Sequence, residues 1–152
     1  MITESRFKFQ RHIKVIFRDL DGMRHVNHAV YLSYCEAARN EYWIEITGIR
    51  RVEEYDFVLA ELTARYHAAA MLGDELVVGC RITEMRRSSF LMEHEIRNTR
   101  TSQLIFEMNS VQVMFDYDTG KSIPISEKRR KQVDEFEGRS LSVASTRAKR
   151  PG

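Results

Sequence analysis

The sequence predicts an α+β fold in which one antiparallel sheet curls around one long central helix. Three observations predict it: one alternating segment opens the chain, a long stretch with helical periodicity follows, and four strand-like segments joined by short turns come after it. Short connections favour antiparallel pairing of consecutive strands. A sheet that is apolar on one face buries that face against another layer, and the long helix is the available partner.

The first element is the segment Phe7–Arg18, in which Ile13, Val15 and Phe17 alternate with mainly polar neighbours. A period of two is typical of a half-buried strand. The stretch DLDGMRHVN then interrupts the pattern with aspartate, glycine and asparagine, which are favoured in turns. We therefore expect a strand followed by a loop that leads into the helix.

The helix is predicted to start at about Asn27, because apolar residues then recur at spacings of three and four, at Tyr31, Cys35, Ala38, Tyr42 and Ile46. Asn27 is suited to the N-cap and Gly48 to the position after the helix end. Roughly 20 residues at the usual rise give a helix of about 30 Å.

Four further strands and a short terminal helix follow. Alternation, valine and isoleucine content and intervening turn residues predict strands at residues 57–70, 76–85, 90–97 and 104–117. The charged segment 126–136 is predicted to be helical. With the first strand, these segments make a five-stranded antiparallel sheet.

The length of 152 residues suits one domain with a sizeable core, and no linker-like stretch precedes Pro124. We expect residues 1–137 to form this domain. The segment 138–152 is small, polar and basic, so we expect a disordered tail there.

Composition also disfavours several partners and locations. The net charge of +2 is too small to indicate nucleic acid, and no apolar run is long enough to cross a membrane. The first residues contain no apolar signal region. Cys35 and Cys80 lack CxxC spacing and are expected to be buried, reduced thiols. We expect a cytoplasmic protein without a metal site or cofactor.

One stretch resembles a known family. Residues 18–39, RDLDGMRHVNHAVYLSYCEAAR, resemble the signature D-x-D-x-x-G-H-V-N-N-x-x-Y-x-x-Y-x-E-x-A-R of the 4-hydroxybenzoyl-CoA thioesterase family. Later matches are G-D-E-L at 73–76, R-S-S at 87–89 and D-x-x-T-G-x-x-x-P at 116–124. Two departures are Arg24, where the family usually has glycine, and His28, where many members have asparagine. The matching positions of the signature are Asp19, Asp21, His25, Val26, Asn27, Tyr31, Tyr34, Glu36, Ala38 and Arg39.

The resemblance implies the hotdog fold and an acyl-CoA thioesterase, acting on acyl-CoA or on an acyl carrier protein. It also implies that Asp21 is the nucleophile or general base and that a helix N-terminal amide near His28 polarises the thioester carbonyl. Both groups suit the reaction, because a carboxylate drives attack and an amide stabilises the oxyanion. Hotdog subunits join their sheets edge to edge, so we expect a homodimer or homotetramer with the site between subunits.

Other residues are weaker candidates, and each has a structural interpretation. An aspartate such as Asp21 often makes only turn hydrogen bonds. His25 and His28 are candidate proton carriers, yet loop histidines commonly bond to backbone. Glu36 is expected to pair with Arg39 or Asn40 at helical spacing. The candidate substrate-binding residues are Asn27, Tyr31, Arg86, Arg87, Ser88 and Ser89, which also suit a cap, a core position and a solvated turn.

Two further functions remain open at this point. A non-catalytic hotdog protein would bind an acyl thioester or only assemble with itself, and it would have no need of Asp21. A hotdog dehydratase ranks last, because it requires a histidine paired with an acid near the helix and lacks the Asp-x-Asp signature. The sequence does not specify the acyl group.

Overall fold

A computed structural model describes residues 5–143 as six strands and two helices. The helices are α1 (Val30–Thr47) and α2 (Glu127–Glu137). The strands are β1 (Phe9–Lys14), β2 (Phe57–Tyr66), β3 (Glu75–Met85), β4 (Ser89–Asn98), β5 (Leu104–Asp116) and β6 (Lys121–Ser122). Single 3-10 turns precede α1 and β2, at Phe17–Asp19 and Val52–Glu54.

The five longer strands form one antiparallel sheet in the order β1-β3-β4-β5-β2, and β6 pairs with the end of β5. This arrangement, with α1 against the sheet, confirms the predicted α+β hotdog fold. In the described chain, β1 and β2 are the two outer strands. β2 is the longer of them and therefore presents more unpaired backbone.

The core lies between α1 and the inner face of the sheet. The predicted helical stripe is buried at Tyr31, Cys35, Ala38 and Tyr42. Trp43 extends the stripe and stacks on Phe90 of β4, with ring centroids 5.3 Å apart. Strand residues at alternate positions of β3 and β4 complete the core, as a period of two requires.

Both ends of α1 have identifiable causes. Gly48 takes the left-handed conformation, with φ of 75°, and its N–H donates to the Ile44 carbonyl. This conformation favours glycine, so the predicted end is confirmed. The helix starts at Val30, three residues later than the predicted start, because Asn27 first forms a turn.

The first strand is shorter than predicted. It ends at Lys14, and Phe17 lies in a 3-10 turn with 80% of its surface exposed, so the expected burial of Phe17 is wrong. The carboxylate of Asp19 accepts a hydrogen bond from the Ile16 N–H, which stabilises this turn. The alternation of apolar and polar residues in the sequence continues to Phe17, although the strand already ends at Lys14.

The packed chain continues past the expected boundary at residue 137. Leu141 is 6% exposed, and the backbone of Met85 bonds with those of Leu141 and Val143. The apolar side chain of Leu141 explains the packing of residues 138–143, where we had expected disorder. Residues 144–152 of the expected tail lie outside the described part of the chain. Neither α1 nor α2 is long and apolar enough to span a membrane.

Candidate active site

The loop that carries Asp21 is fixed on both sides by backbone hydrogen bonds. The Asp21 N–H donates to the His25 carbonyl at 3.0 Å, which closes the loop on itself. The Val26 N–H donates to the Ala70 carbonyl at 3.0 Å, which ties the loop to the segment before β3. Asp21 is therefore presented by a fixed turn between β1 and α1.

The Asp21 carboxylate is half-buried, and one of its oxygens is committed to the turn. Its Oδ1 accepts the N–H of Met23 at 2.9 Å, whereas within residues 5–143 no hydrogen bond reaches Oδ2. Only one oxygen of Asp21 therefore makes the turn hydrogen bond that the structural interpretation predicts. The other oxygen is available to a ligand.

Arg24 occupies a backbone conformation that favours glycine. Its φ is 66°, and its N–H donates to the Asp21 carbonyl at 3.0 Å. Left-handed backbone strains an L-residue with a side chain. The loop therefore follows the path that a glycine would take, although the sequence has arginine at this position.

Asn27 accepts hydrogen bonds from two amides at the start of α1. Its Oδ1 accepts the Ala29 N–H and its carbonyl accepts the Val30 N–H, each at 2.9 Å. The His28 N–H, which precedes these two, has no hydrogen-bond partner within the described residues. A free amide at a helix N-terminus is a natural donor to an oxyanion. The N-cap of α1 is Ala29, so the expectation that Asn27 is the N-cap is wrong; Asn27 instead forms the turn before the helix, and this turn leaves the His28 donor free within residues 5–143.

Tyr66, at the end of β2, holds the same backbone from the other side. Its hydroxyl donates to the His28 carbonyl at 2.7 Å. Its ring contacts those of Tyr31 and Phe106, with centroids 5.6 and 5.0 Å apart. Sequence reasoning missed Tyr66 as a site residue, because it placed Tyr66 inside a strand predicted at residues 57–70, whereas β2 ends at Tyr66.

Tyr31 contributes structure at this end of the helix. Its hydroxyl accepts the Ala70 N–H at 3.0 Å, and its ring stacks on Phe106 at 5.4 Å. Burial raises the pKa of Tyr31, and the charge of Asp21 adds a small effect in the same direction. Because Tyr31 is only 3% exposed, its contacts fit the core interpretation better than substrate binding.

The two loop histidines are exposed, and neither ring makes a hydrogen bond within residues 5–143. The carbonyl of each takes part in the loop, by accepting from Asp21 and from Tyr66. The geometry therefore gives the backbone of His25 and His28 a definite place. It gives no partner to either imidazole.

Asp19 serves the fold of the loop. Its Oδ2 accepts the Tyr34 hydroxyl at 2.7 Å as well as the Ile16 N–H. Burial, followed by this bond to Asp19, raises the pKa of Tyr34. Asp19 thus joins the start of the loop to α1, which is a structural role.

A cavity of about 680 Å³ opens beside Asp21. Two residues of its lining are charged, Asp21 and Arg24, and the remainder are apolar: Phe17, Leu20, Met71 and Leu72. The volume is in the usual range for small-molecule sites. The available oxygen of Asp21 therefore has space for a ligand beside it.

The turn of Arg86, Arg87, Ser88 and Ser89 lies at the opposite end of the sheet. It follows the last residue of β3, whereas the Asp21 loop packs beside the first. The 11 residues of β3 correspond to about 35 Å. Within one chain, the turn cannot share a pocket with Asp21, so the grouping expected from sequence requires a second subunit.

Two further carboxylates, Glu36 of α1 and Glu61 of β2, lie on other elements. Glu36 is exposed and its carboxylate is 3.9 Å from the Arg39 guanidinium, as its helical spacing predicted. Glu61 is exposed on β2. In residues 5–143, no group of three His, Cys, Asp or Glu is arranged to hold a metal.

Comparison with known proteins identifies the family. The model described as "Thioesterase-like superfamily" matches residues 15–133. The acyl-CoA thioesterase YbgC of Haemophilus influenzae is 32% identical over 130 residues, which cover 82% of this chain and 90% of that protein. YbgC of Helicobacter pylori is 34% identical over 83 residues, which cover 55% of this chain and only 62% of that relative's length. A Thermus thermophilus thioesterase structure, complexed with coenzyme A and Zn, has a TM-score of 0.81 and 36% identity, covering 89% of this chain and 98% of that one.

Proposed function

The chain belongs to the thioesterase-like superfamily, and we propose that it hydrolyses acyl-CoA thioesters, with Asp21 as nucleophile or general base and the His28 amide as oxyanion donor. The observation that supports this proposal is that the loop between β1 and α1 presents both an acceptor and a donor that make no hydrogen bond within residues 5–143. In that part of the chain, Asp21 has a carboxylate oxygen without a hydrogen-bond partner, and His28 has an amide without one. Both flank the start of α1, where the helix dipole favours negative charge.

Hydrolysis needs a nucleophile at the thioester carbonyl carbon and a donor at its oxygen. In one route, Asp21 attacks that carbon, the carbon–sulfur bond breaks and coenzyme A leaves as a thiolate. Water then cleaves the resulting anhydride and releases the acid. In the other route, Asp21 takes a proton from the water that attacks directly. In both routes the His28 N–H stabilises the oxyanion.

A homodimer joined through β2 fits the positions of the two candidate regions. Tyr66, beside His28, ends β2, whereas the Arg86–Ser89 turn lies at its beginning, because Ser88 and Phe57 both contact Met114 of β5. If two β2 edges pair antiparallel, the beginning of one lies beside the end of the other. The turn of one subunit then approaches the Asp21 loop of its partner and supplies arginines suited to coenzyme A phosphates.

The experiment is a hydrolysis assay on acyl-CoAs of different chain length, and on the same acyl groups carried by acyl carrier protein, with wild type and Asp21→Asn. We expect wild type to cleave acyl-CoA and Asp21→Asn to bind it without efficient turnover. Wild type that binds acyl-CoA without cleaving it would instead support the non-catalytic function. Light scattering of a stable 17.9 kDa monomer at micromolar concentration would contradict the dimer.

A further inference from the structure

Four of the six residues that line the cavity beside Asp21 are apolar. Apart from Asp21 and the exposed Arg24, its lining is Phe17, Leu20, Met71 and Leu72. Within the described chain, no hydroxyl or carboxamide side chain contributes to this lining. Each ligand methylene that moves from water to apolar walls of this kind makes the free energy of binding more favourable.

Three of these side chains, Phe17, Met71 and Leu72, are also among the exposed large apolar residues of the described chain. In the described chain, ten large apolar residues are conspicuously exposed. Five of them lie in only two short segments, 16–23 and 71–72: Ile16, Phe17, Met23, Met71 and Leu72. A contiguous apolar patch beside a polar reactive group is typical of a ligand-binding surface.

Backbone hydrogen bonds hold these two segments together. The Val15 N–H donates to the Asp74 carbonyl at 2.9 Å, and the Gly73 N–H donates to the Val15 carbonyl at 3.1 Å. The patch therefore has a fixed frame. Its methionine side chains are flexible and adapt to aliphatic ligands.

We propose, on the basis of the proposed function, that this cavity is the acyl subsite and that the preferred substrate carries an unsubstituted aliphatic chain longer than four carbons. The thioester carbonyl lies at Asp21 and the chain lies among Phe17, Met71 and Leu72. A hydroxyl on the chain loses its water in this cavity and finds no neutral hydrogen-bonding side chain there. An apolar pocket rejects an added hydroxyl by at most about 100-fold, so discrimination of about 10-fold to 100-fold is expected.

The experiment compares kcat/KM for butyryl-, hexanoyl-, octanoyl- and 3-hydroxyoctanoyl-CoA. We expect kcat/KM to rise by about fourfold for each added methylene until the cavity is filled. In Phe17→Ser and Leu72→Ser, the ratio of octanoyl to butyryl should fall by at least about threefold each. Val52→Ser is the matched control, because Val52 is 83% exposed in a different turn, and it should leave the ratio unchanged.

Three results would overturn this inference without affecting the proposed reaction. They are a ratio independent of chain length, a preference for the hydroxylated chain, and an unchanged ratio in both serine variants. A change in subunit number by light scattering, with the ratio unchanged, would show that the patch is a subunit contact instead. If wild type cleaves no acyl-CoA, the proposed function fails, and calorimetric affinities for butyryl- and octanoyl-CoA decide the subsite.

Discussion

The hydroxyl of Tyr66 donates to the carbonyl oxygen of His28 at 2.7 Å, which ties the end of β2 to the start of α1. This bond fixes the peptide that follows the free His28 amide. Tyr66 is therefore a positioning residue for the proposed oxyanion donor, and β2 connects the proposed dimer edge with the proposed site.

Tyr66→Phe should lower kcat by about fivefold to tenfold, which corresponds to the loss of one hydrogen bond of about 1 kcal/mol. KM and the melting temperature should change little, since the Tyr66 side chain is half exposed. The matched control is Tyr117→Phe, because the Tyr117 hydroxyl also donates to a backbone carbonyl, that of Phe57, at 2.9 Å and at the other end of β2. Equal effects of the two variants on kcat would argue against positioning.

Asp21→Asn should reduce turnover of a good acyl-CoA by at least ~10² to 10⁴, the scale expected for a positioned acid–base group. Binding should change little, because the charge matters mainly where charge develops in the reaction. Asp19→Asn is the control and should affect stability more than turnover, since Asp19 bonds Tyr34 and Ile16. Wild-type turnover by folded Asp21→Asn would make Glu36 or Glu61 the next carboxylate to examine.

Arg24→Gly should stabilise the fold relative to Arg24→Ala by about 1 kcal/mol, because glycine adopts the left-handed backbone without a Cβ penalty. Arg24 has a φ of 66° and its side chain is exposed, so neither substitution removes a buried side chain. Urea unfolding of the two variants measures the difference. An alanine variant as stable as the glycine variant would show that the loop relaxes to another path.

Stability should fall as the pH falls below about 6.5, because His94 is buried without a charge. Burial and then the charge of Arg39 lower the pKa of His94 from 6.5 to about 3. Between these values the unfolded chain binds a proton that the folded chain does not, so protonation favours unfolding by up to about 1.4 kcal/mol per pH unit.

Urea unfolding between pH 7 and about 4.5 checks this, with His94→Gln beside wild type. As the pH falls, the free energy of unfolding of the variant should decrease less steeply than that of wild type. The difference between the two slopes should correspond to about one proton per molecule. His12→Gln, at an exposed position of β1, is the control and should retain the wild-type slope. Identical slopes for His94→Gln and wild type would mean that His94 does not contribute.

Leu141→Ala should destabilise the protein by about 2 kcal/mol, since it removes a buried apolar side chain. Leu141 is 6% exposed and its backbone bonds to Met85. Truncation after Glu137 should cost at least as much, whereas truncation after Val143 should leave the melting temperature nearly unchanged. Equal melting temperatures for the two truncated chains would restore the boundary at residue 137.

The sequence by itself determined the element order, the buried face of α1 and the family. These features depend on local periodicity, on glycine at Gly48 and on a signature confined to 22 consecutive residues. Local patterns of this kind need no knowledge of distant contacts. For the same reason they failed at Phe17, which lies in a turn where the Ile16 N–H donates to the Asp19 carboxylate, and at Leu141, whose backbone partner is Met85.

Only the tertiary structure decided which polar groups are committed and which are free. The role of Tyr66 depends on a contact across 38 residues, and the separation of Asp21 from the Arg86–Ser89 turn depends on the length and direction of β3. The cavity beside Asp21 likewise joins residues 17–24 with residues 71–72. Such relations arise from strand pairing between distant segments, and the spacing of residues along the chain does not encode them individually.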